Sequence, residues 1–196
     1  RWIFGEPDSG RLCDYKLMRK LQVFTTGDSI DKIYFDALSE SQIGPPGIDT
    51  ILKQMNIGFD YQAEALMRLD SLDMTDDHRR HIQQRAAGSE AQYILINHGT
   101  DGMVKTASWL NKLGNKTIVL TGALQPAALA NTDAVFNIGC AIGAMESLGS
   151  GVYIAMDGQV FTADKVVKNS AEHRFEKNAL MDLRTAIRGA LPASHP

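Results

Sequence analysis

Hydroxyl, carboxylate and amine side chains gather in a few short stretches of this sequence, most of them just after an apolar run. The first is Thr25-Thr26-Gly27-Asp28-Ser29-Ile30. A serine on a turn made tight by Gly27 becomes a nucleophile when a base lies near it, although the same letters also describe an ordinary turn. In Asp70-Ser71-Leu72-Asp73-Met74-Thr75, Ser71, Asp73 and Thr75 are candidate caps for a following helix. Ser71 alternatively offers its hydroxyl and amide to a substrate carboxylate. Asn97-His98-Gly99-Thr100-Asp101-Gly102-Met103 is the most informative stretch. It sets the Thr100 hydroxyl and the Asp101 carboxylate at a helix start, where a carboxylate also suits the helix dipole. His98, beside a glycine turn, reads as structural before it reads as catalytic. Gly122-Ala123-Leu124-Gln125-Pro126 follows a fourth apolar run, and Lys165 and Lys168 lie further on. A lysine near a threonine and a carboxylate activates water or a hydroxyl; taken singly, each lysine reads as solvated surface.

The elements that must hold these clusters follow from the spacing of apolar residues. Residues 21–25 (LQVFT), 63–69, 93–97 (YILIN), 117–121 (TIVLT) and 152–156 read as strands. Asp157-Gly158 signals a hairpin turn, with Val160 and Phe161 opening the return strand. Helices are expected over residues 48–57, after the Gly44-Pro45-Pro46-Gly47 turn, and over 75–87, with Thr75 as N-cap and Gly88 as stop. Two more are expected over 102–113, ending at Gly114, and over the apolar stretch 131–148. The strands are continuous apolar runs, which fits a sheet buried on both faces. Alternating strands and helices then imply a single-domain α/β fold, doubly wound and mainly parallel, with helices on both faces and a β-hairpin near the C-terminus. Ligands of such sheets bind at the carboxyl ends of the strands, where the polar clusters fall. Phe175, Leu183, Ile187 and Leu191 recur at roughly helical spacing, so residues 172–191 read as a terminal helix.

Composition narrows the function classes. Across 196 residues, 20 basic and 23 acidic side chains leave a net charge of −3, so a nucleic-acid partner is not expected. No apolar run approaches the roughly 20 residues of a membrane span. Cys13 and Cys140 are too few and too far apart for a disulfide framework or a zinc site, and Cys140 reads as a buried small apolar residue. Residues 1–20 lack the apolar core of a signal peptide; they read as an extension of uncertain origin, and the expected location is the cytoplasm. The domain itself is placed at 21–178, with a C-terminal helix and tail at 179–196.

Taken in order and spacing, these stretches resemble the N-terminal domain of the bacterial-type L-asparaginase (asparaginase/glutaminase) family. TTGDSID resembles that family's TGGTI signature, NHGTDGM its THGTDTM signature, and IVLTGALQPAA its VLTGAMRP stretch. NTDAVFNIG resembles SDAxxNL, and DSLDMT the substrate-binding loop. The resemblance spans about residues 21–176 and implies a short form without the family's second, smaller domain. It implies an amidohydrolase that converts L-asparagine to L-aspartate and ammonia by double displacement, with L-glutamine a poorer substrate and no metal or organic cofactor.

By this resemblance Ser29 is the nucleophile, Thr100 the second catalytic hydroxyl, and Asp101 both catalytic and the grip on the substrate ammonium. Lys168 matches the catalytic lysine when the segment from Gly151 is laid on without gaps, with Lys165 as the alternative. Tyr34 is the best match to the loop tyrosine that assists the nucleophile. Gly27, Asp28, Ser71 and Gly99 complete the substrate-binding set, with Ser71 at the α-carboxylate. A homodimer or higher homo-oligomer is expected. The sequence departs from the family pattern at Asp28 (glycine), Ser29 (threonine), Gly102 (threonine) and Gln125 (arginine). Asp28 and Gly102 are the features that favour the alternative, a weak or inactive relative that binds aspartate or asparagine without turning it over.

Overall fold

The β-branched and aliphatic runs become neighbouring strands in a computed structural model that describes residues 20–27, 29–34, 41–43 and 47–178. Strand β1 (Lys20–Thr25) leads through a 3-10 turn (Ser29–Asp31) into a short hairpin, β2 (Lys32–Tyr34) and β3 (Ser41–Ile43). Next come α1 (Gly47–Gln54), β4 (Asp60–Ala65), α2 (Asp76–Gly88), β5 (Tyr93–Asn97), α3 (Met103–Leu110), β6 (Thr117–Thr121), α4 (Ala134–Met145) and β7 (Gly151–Met156). Strands β8 (Gln159–Thr162), β9 (Val166–Asn169) and β10 (Arg174–Lys177) complete the described chain. The central sheet has the order β4-β1-β5-β6-β7-β8 and is parallel except for β8.

Successive side chains point to opposite faces of a strand, and both faces are covered. Ile94 and Ile96 of β5 pack with α2 (Ile82, Ala86) and α3 (Met103, Ala107, Leu110). Tyr93 and Leu95 pack on the other face with α1 (Ile48, Ile51, Leu52) and α4 (Ile138, Ala141, Met145). This is the doubly wound α/β architecture expected from the continuous apolar runs. The chain goes outward from β1 to β4, then crosses back past β1 to β5. The strand order therefore reverses at β1 and β5, and the crevice for a ligand lies at their carboxyl ends. No helix among the described residues is long and apolar enough to cross a membrane.

Several boundaries differ from the expectation for physical reasons. The second strand is Asp60–Ala65, not 63–69. The chain turns at Leu66, whose amide donates to Thr25 O (2.9 Å), and Leu69 N donates to Thr26 O (3.0 Å). The helix expected over 172–191 is absent from its described part, because Arg174–Lys177 pairs antiparallel with β9 as strand β10. Phe175, read as one face of a helix, is instead 2% exposed in the core; the calls on 179–196 and on 1–19 lie outside the described residues, as do residues 44–46 of the expected turn. The long helix is Ala134–Met145 rather than 131–148, since the residues before it are spent on loop contacts described below. Cys140 is half-buried against the core on α4. Asp157 and Gly158, both at positive φ, make the hairpin turn between β7 and β8.

Gly27 carries the tightest backbone approach near the crevice. Its φ is +77°, and a Cβ there would lie 2.6 Å from Leu69 N and 2.8 Å from Arg68 Cα. Left-handed backbone costs a side-chain-bearing residue about 1–2 kcal/mol, and a forced backbone shift adds about 1–3 kcal/mol. Gly27→Ala is therefore expected to lower the thermal unfolding midpoint by about 4–20 °C, at about 2–4 °C per kcal/mol for a chain of this size. A change below about 2 °C in differential scanning calorimetry would show that the Arg68–Leu69 contact yields freely.

Candidate active site

The parallel strands β1 and β5 pair Thr25 with Asn97, so the turns that leave them are neighbours by construction. Thr26 extends the ladder by one step: its amide donates to Asn97 O (3.2 Å), and its hydroxyl does the same (3.1 Å). Gly27 then reverses the chain, and Ser29 opens the 3-10 turn that ends at Asp31. The buried Asp31 carboxylate ties this turn to its surroundings, accepting from Gly47 N at the start of α1 (2.7 Å) and from Asn97 Nδ2 at the end of β5 (3.2 Å). Tyr34 closes β2 as the register partner of Ser41. Asp28 lies outside the described residues.

Beyond β5 the chain is held by His98, which is 1% exposed. Its Nδ1 lies 2.8 Å from Gly99 O and its Nε2 2.8 Å from Thr106 Oγ1. A carbonyl only accepts, so Nδ1 donates to Gly99 O, while the Thr106 hydroxyl beside Nε2 also reaches Met74 Sδ (3.6 Å). Both ring nitrogens are thus used inside the fold, in agreement with the structural reading of His98. Thr100 and Asp101 follow on the turn that enters α3. Asp101 does not cap that helix: the N-cap is Gly102, with no side-chain cap bond. The Asp101 carboxylate turns instead toward β9.

There it meets Lys168, whose Nζ lies 2.8 Å from Thr100 Oγ1 and 2.6 Å from Asp101 Oδ1. Geometry thereby separates the two candidate lysines: Lys168 enters the cluster, while Lys165 lines a separate cavity with Val160, Phe161, Thr162 and Lys177. The Lys168 side chain is 12% exposed and its partner Asp101 47% exposed, so the ammonium sits at the mouth of the crevice with its stem covered. That cover comes from the short β9–β10 sheet. Phe175 is the direct cross-strand partner of Lys168, and residues directly opposite on paired strands share a face. Phe175 and Val166 root this sheet in the main core. At its far end Glu176 Oε1 accepts from Arg174 Nε (2.6 Å) and from Asn169 Nδ2 (3.2 Å). Those two donors, Arg174 first, hold the Glu176 carboxyl below the ordinary glutamate value.

Ser71 is 3% exposed and sits in a turn organised by Asp70, whose carboxylate accepts from Leu72 N (3.0 Å). Capping of α2 is done by Thr75 and His78 in a reciprocal capping box, so Ser71 is not needed for it. The turns after β6 and β7 are braced separately. Asp133 accepts from the amides of Leu124 and Gln125 (2.9–3.1 Å). Asn137, fully buried, joins Asp133 and Gly122 O to the Asp157 amide. The NTDAVFN stretch is thus a scaffold for two loops at the carboxyl edge.

Chemically, an ammonium between a hydroxyl and a carboxylate steadies negative charge on the hydroxyl oxygen, and as a free amine it takes that hydroxyl's proton. The structure brings together Thr100, Asp101 and Lys168, and places Gly27, Gly99, Ser29 and Ser71 on turns at the same edge of the sheet. Sequence reasoning gave Asp31 and Asn97 no role in the site and placed Phe175 on a helix instead of opposite Lys168. The only signal for the first two was their position, inside TTGDSID and NHGTDGM; Phe175 had none, because its cross-strand pairing is non-local.

A family model described as the asparaginase N-terminal domain matches residues 20–189. A protein named probable L-asparaginase periplasmic, from Haemophilus influenzae, is 30% identical over 142 residues, covering 67% of this chain and 41% of its own length. A glutaminase-asparaginase from Acinetobacter glutaminasificans is 33% identical over 85 residues, 41% of this chain and 26% of that one. Among solved structures, the thermostable L-asparaginase from Thermococcus kodakarensis superposes with a TM-score of 0.70 at 25% identity. A probable cytoplasmic L-asparaginase from Campylobacter jejuni superposes at 0.68 and 24%; each comparison covers 81% of this chain and 51% of the other. The chain spans about half the length, or less, of the relatives it matches.

Proposed function

The chain belongs to the asparaginase family through its N-terminal domain, and on that premise we propose that it is an amidohydrolase converting L-asparagine to L-aspartate and ammonia through a Ser29 acyl-enzyme. One observation carries the reading: Lys168, from a strand far along the chain, reaches both Thr100 and Asp101 within hydrogen-bond distance. A lysine brought that far to meet a buried threonine at the mouth of the crevice is the arrangement that general base catalysis needs.

In the first half-reaction the Ser29 oxygen attacks the side-chain amide carbon, with Tyr34 assisting. The tetrahedral intermediate collapses as the C–N bond breaks and the serine proton leaves with the nitrogen as ammonia. In the second, Thr100 and Lys168 draw a proton from water, whose oxygen attacks the acyl carbon and returns the Ser29 hydroxyl. Backbone amides near Gly99 and Thr100 serve the developing oxyanion. Asp101 takes the substrate ammonium and Ser71 its α-carboxylate. L-glutamine fits less well, a one-methylene difference being worth ~1–3 kcal/mol. The active form is a homodimer or higher homo-oligomer.

The test is ammonia release at millimolar L-asparagine, with L-glutamine in parallel and the thermal midpoint read with and without L-aspartate. Release above the enzyme-free rate, faster from asparagine, is the expected result. A thermal shift with aspartate and no ammonia would make the chain a binding protein; neither response would remove the reading altogether.

A further inference from the structure

We propose that His98 is a positioning residue for catalysis: its ring holds the Gly99–Thr100 peptide so that the Thr100 N–H faces the crevice as a donor to the oxyanion. The inference rests on the amidohydrolase reading, which gives the backbone at Gly99 and Thr100 that task.

Contacts with β6 and the turn after it fix the His98 backbone. Its amide donates to Thr121 O (2.9 Å). Its carbonyl oxygen lies against Gly122, where an added Cβ would stand 2.4 Å away. The ring is 1% exposed and is held from two further sides. Nε2 lies 2.8 Å from Thr106 Oγ1, on a fully buried side chain one turn into α3. Cε1 faces Gly102, a Cβ on which would lie 3.3 Å from it and 2.9 Å from the Ser71 carbonyl oxygen. With the ring set in this way, Nδ1 donates to Gly99 O at 2.8 Å.

That bond decides a direction. A trans peptide is planar, and its C=O and N–H point to opposite sides of the chain. The Gly99–Thr100 peptide is trans. With Gly99 O turned into the core onto the ring, the Thr100 N–H points outward, to the carboxyl edge of β5. Glycine has the backbone freedom to turn this peptide over. The N–H would then enter the core, and a carbonyl would face the developing oxyanion and repel it. His98 selects the productive orientation, and its effect belongs to the transition state rather than to substrate binding.

The experiment is steady-state ammonia release from L-asparagine by His98→Asn and His98→Gln, with thermal midpoints alongside. In His98→Asn the amide nitrogen stands one bond beyond Cγ, as Nδ1 does, and still donates to Gly99 O. In His98→Gln it stands one atom further out, near the place of Nε2, and serves Thr106 instead. His98→Gln is expected to lose about 10²–10³-fold in kcat, the cost of one oxyanion donor, with KM within about threefold. His98→Asn is expected to keep kcat within about tenfold, although its midpoint falls as far. A histidine that only filled space would make the two variants alike. Thr106→Val removes the partner of Nε2 alone and should lower the midpoint while kcat stays within about tenfold, which decides the matter if neither His98 variant folds. Equal kcat losses in His98→Asn and His98→Gln, or a loss of about 10²-fold or more in Thr106→Val, would overturn the proposal and leave the amidohydrolase reading standing. No ammonia from the unsubstituted chain would overturn both.

Discussion

Ser29→Ala is expected to abolish ammonia release from L-asparagine, a loss of at least about 10⁴-fold, while L-aspartate still raises the thermal midpoint. The substitution removes one oxygen at the first residue of the 3-10 turn after β1 and adds no atom to be accommodated. The Asp31 bonds to Gly47 and Asn97 that hold this turn are left in place. Loss of a nucleophile has cost on the order of 10⁶-fold in a serine hydrolase, the residue of catalysis coming from binding and oxyanion stabilisation alone. Hydroxylamine trapping of the acyl-enzyme, positive for the unsubstituted chain and negative for Ser29→Ala, separates a lost nucleophile from a damaged pocket. Ammonia release within tenfold of the unsubstituted rate would move the nucleophile to Thr100, the hydroxyl that Lys168 touches at this edge.

Lys168→Met is the second large effect, with kcat down by about 10²–10⁴-fold, the range for loss of a positioned acid–base group. Methionine keeps an unbranched apolar stem beside Phe175, so the β9–β10 sheet should survive. What disappears is the ammonium 2.8 Å from Thr100 Oγ1 and 2.6 Å from Asp101 Oδ1. Asp101 stays half-exposed and solvated, so it still meets the substrate ammonium and KM should move by less than about tenfold. The companion variant Lys165→Met should stay within about twofold of the unsubstituted rate, because Lys165 lines a different cavity. Steady-state kinetics of the pair decides the matter; a large loss at Lys165 with little at Lys168 would reject the cluster as the general base.

Local chemistry made much of this fold legible. The runs YILIN and TIVLT form β5 and β6 with their expected bounds, since β-branched and aliphatic residues buried on both faces have few alternatives. Thr75 caps α2 as its hydroxyl and spacing predict. The polar clusters fall at the carboxyl edge because each directly follows a strand of a parallel sheet. Where the sequence misled, the competing contact was distant. Phe175 shows helical spacing with Leu183, yet Arg174–Lys177 has a strand partner in β9, and backbone pairing overrides a weak periodicity. Leu66, Met67 and Leu69 look like strand residues, but they pack on the core from a loop bonded to the end of β1.

Residue type, periodicity and order along the chain were therefore enough for the α/β class, the strands' sequence and the identity of the polar clusters, all of which depend on neighbours a few positions away. Three matters were decided only by folding. Lys168 rather than Lys165 enters the cluster because the pairing of β9 with β10 aims it there. Asp31 ties the turn after β1 to β5 and α1 across wide sequence separations. The room at Gly102 is a matter of tenths of an ångström against Ser71. Distances between residues far apart in the chain arise from packing, and no local spacing encodes them.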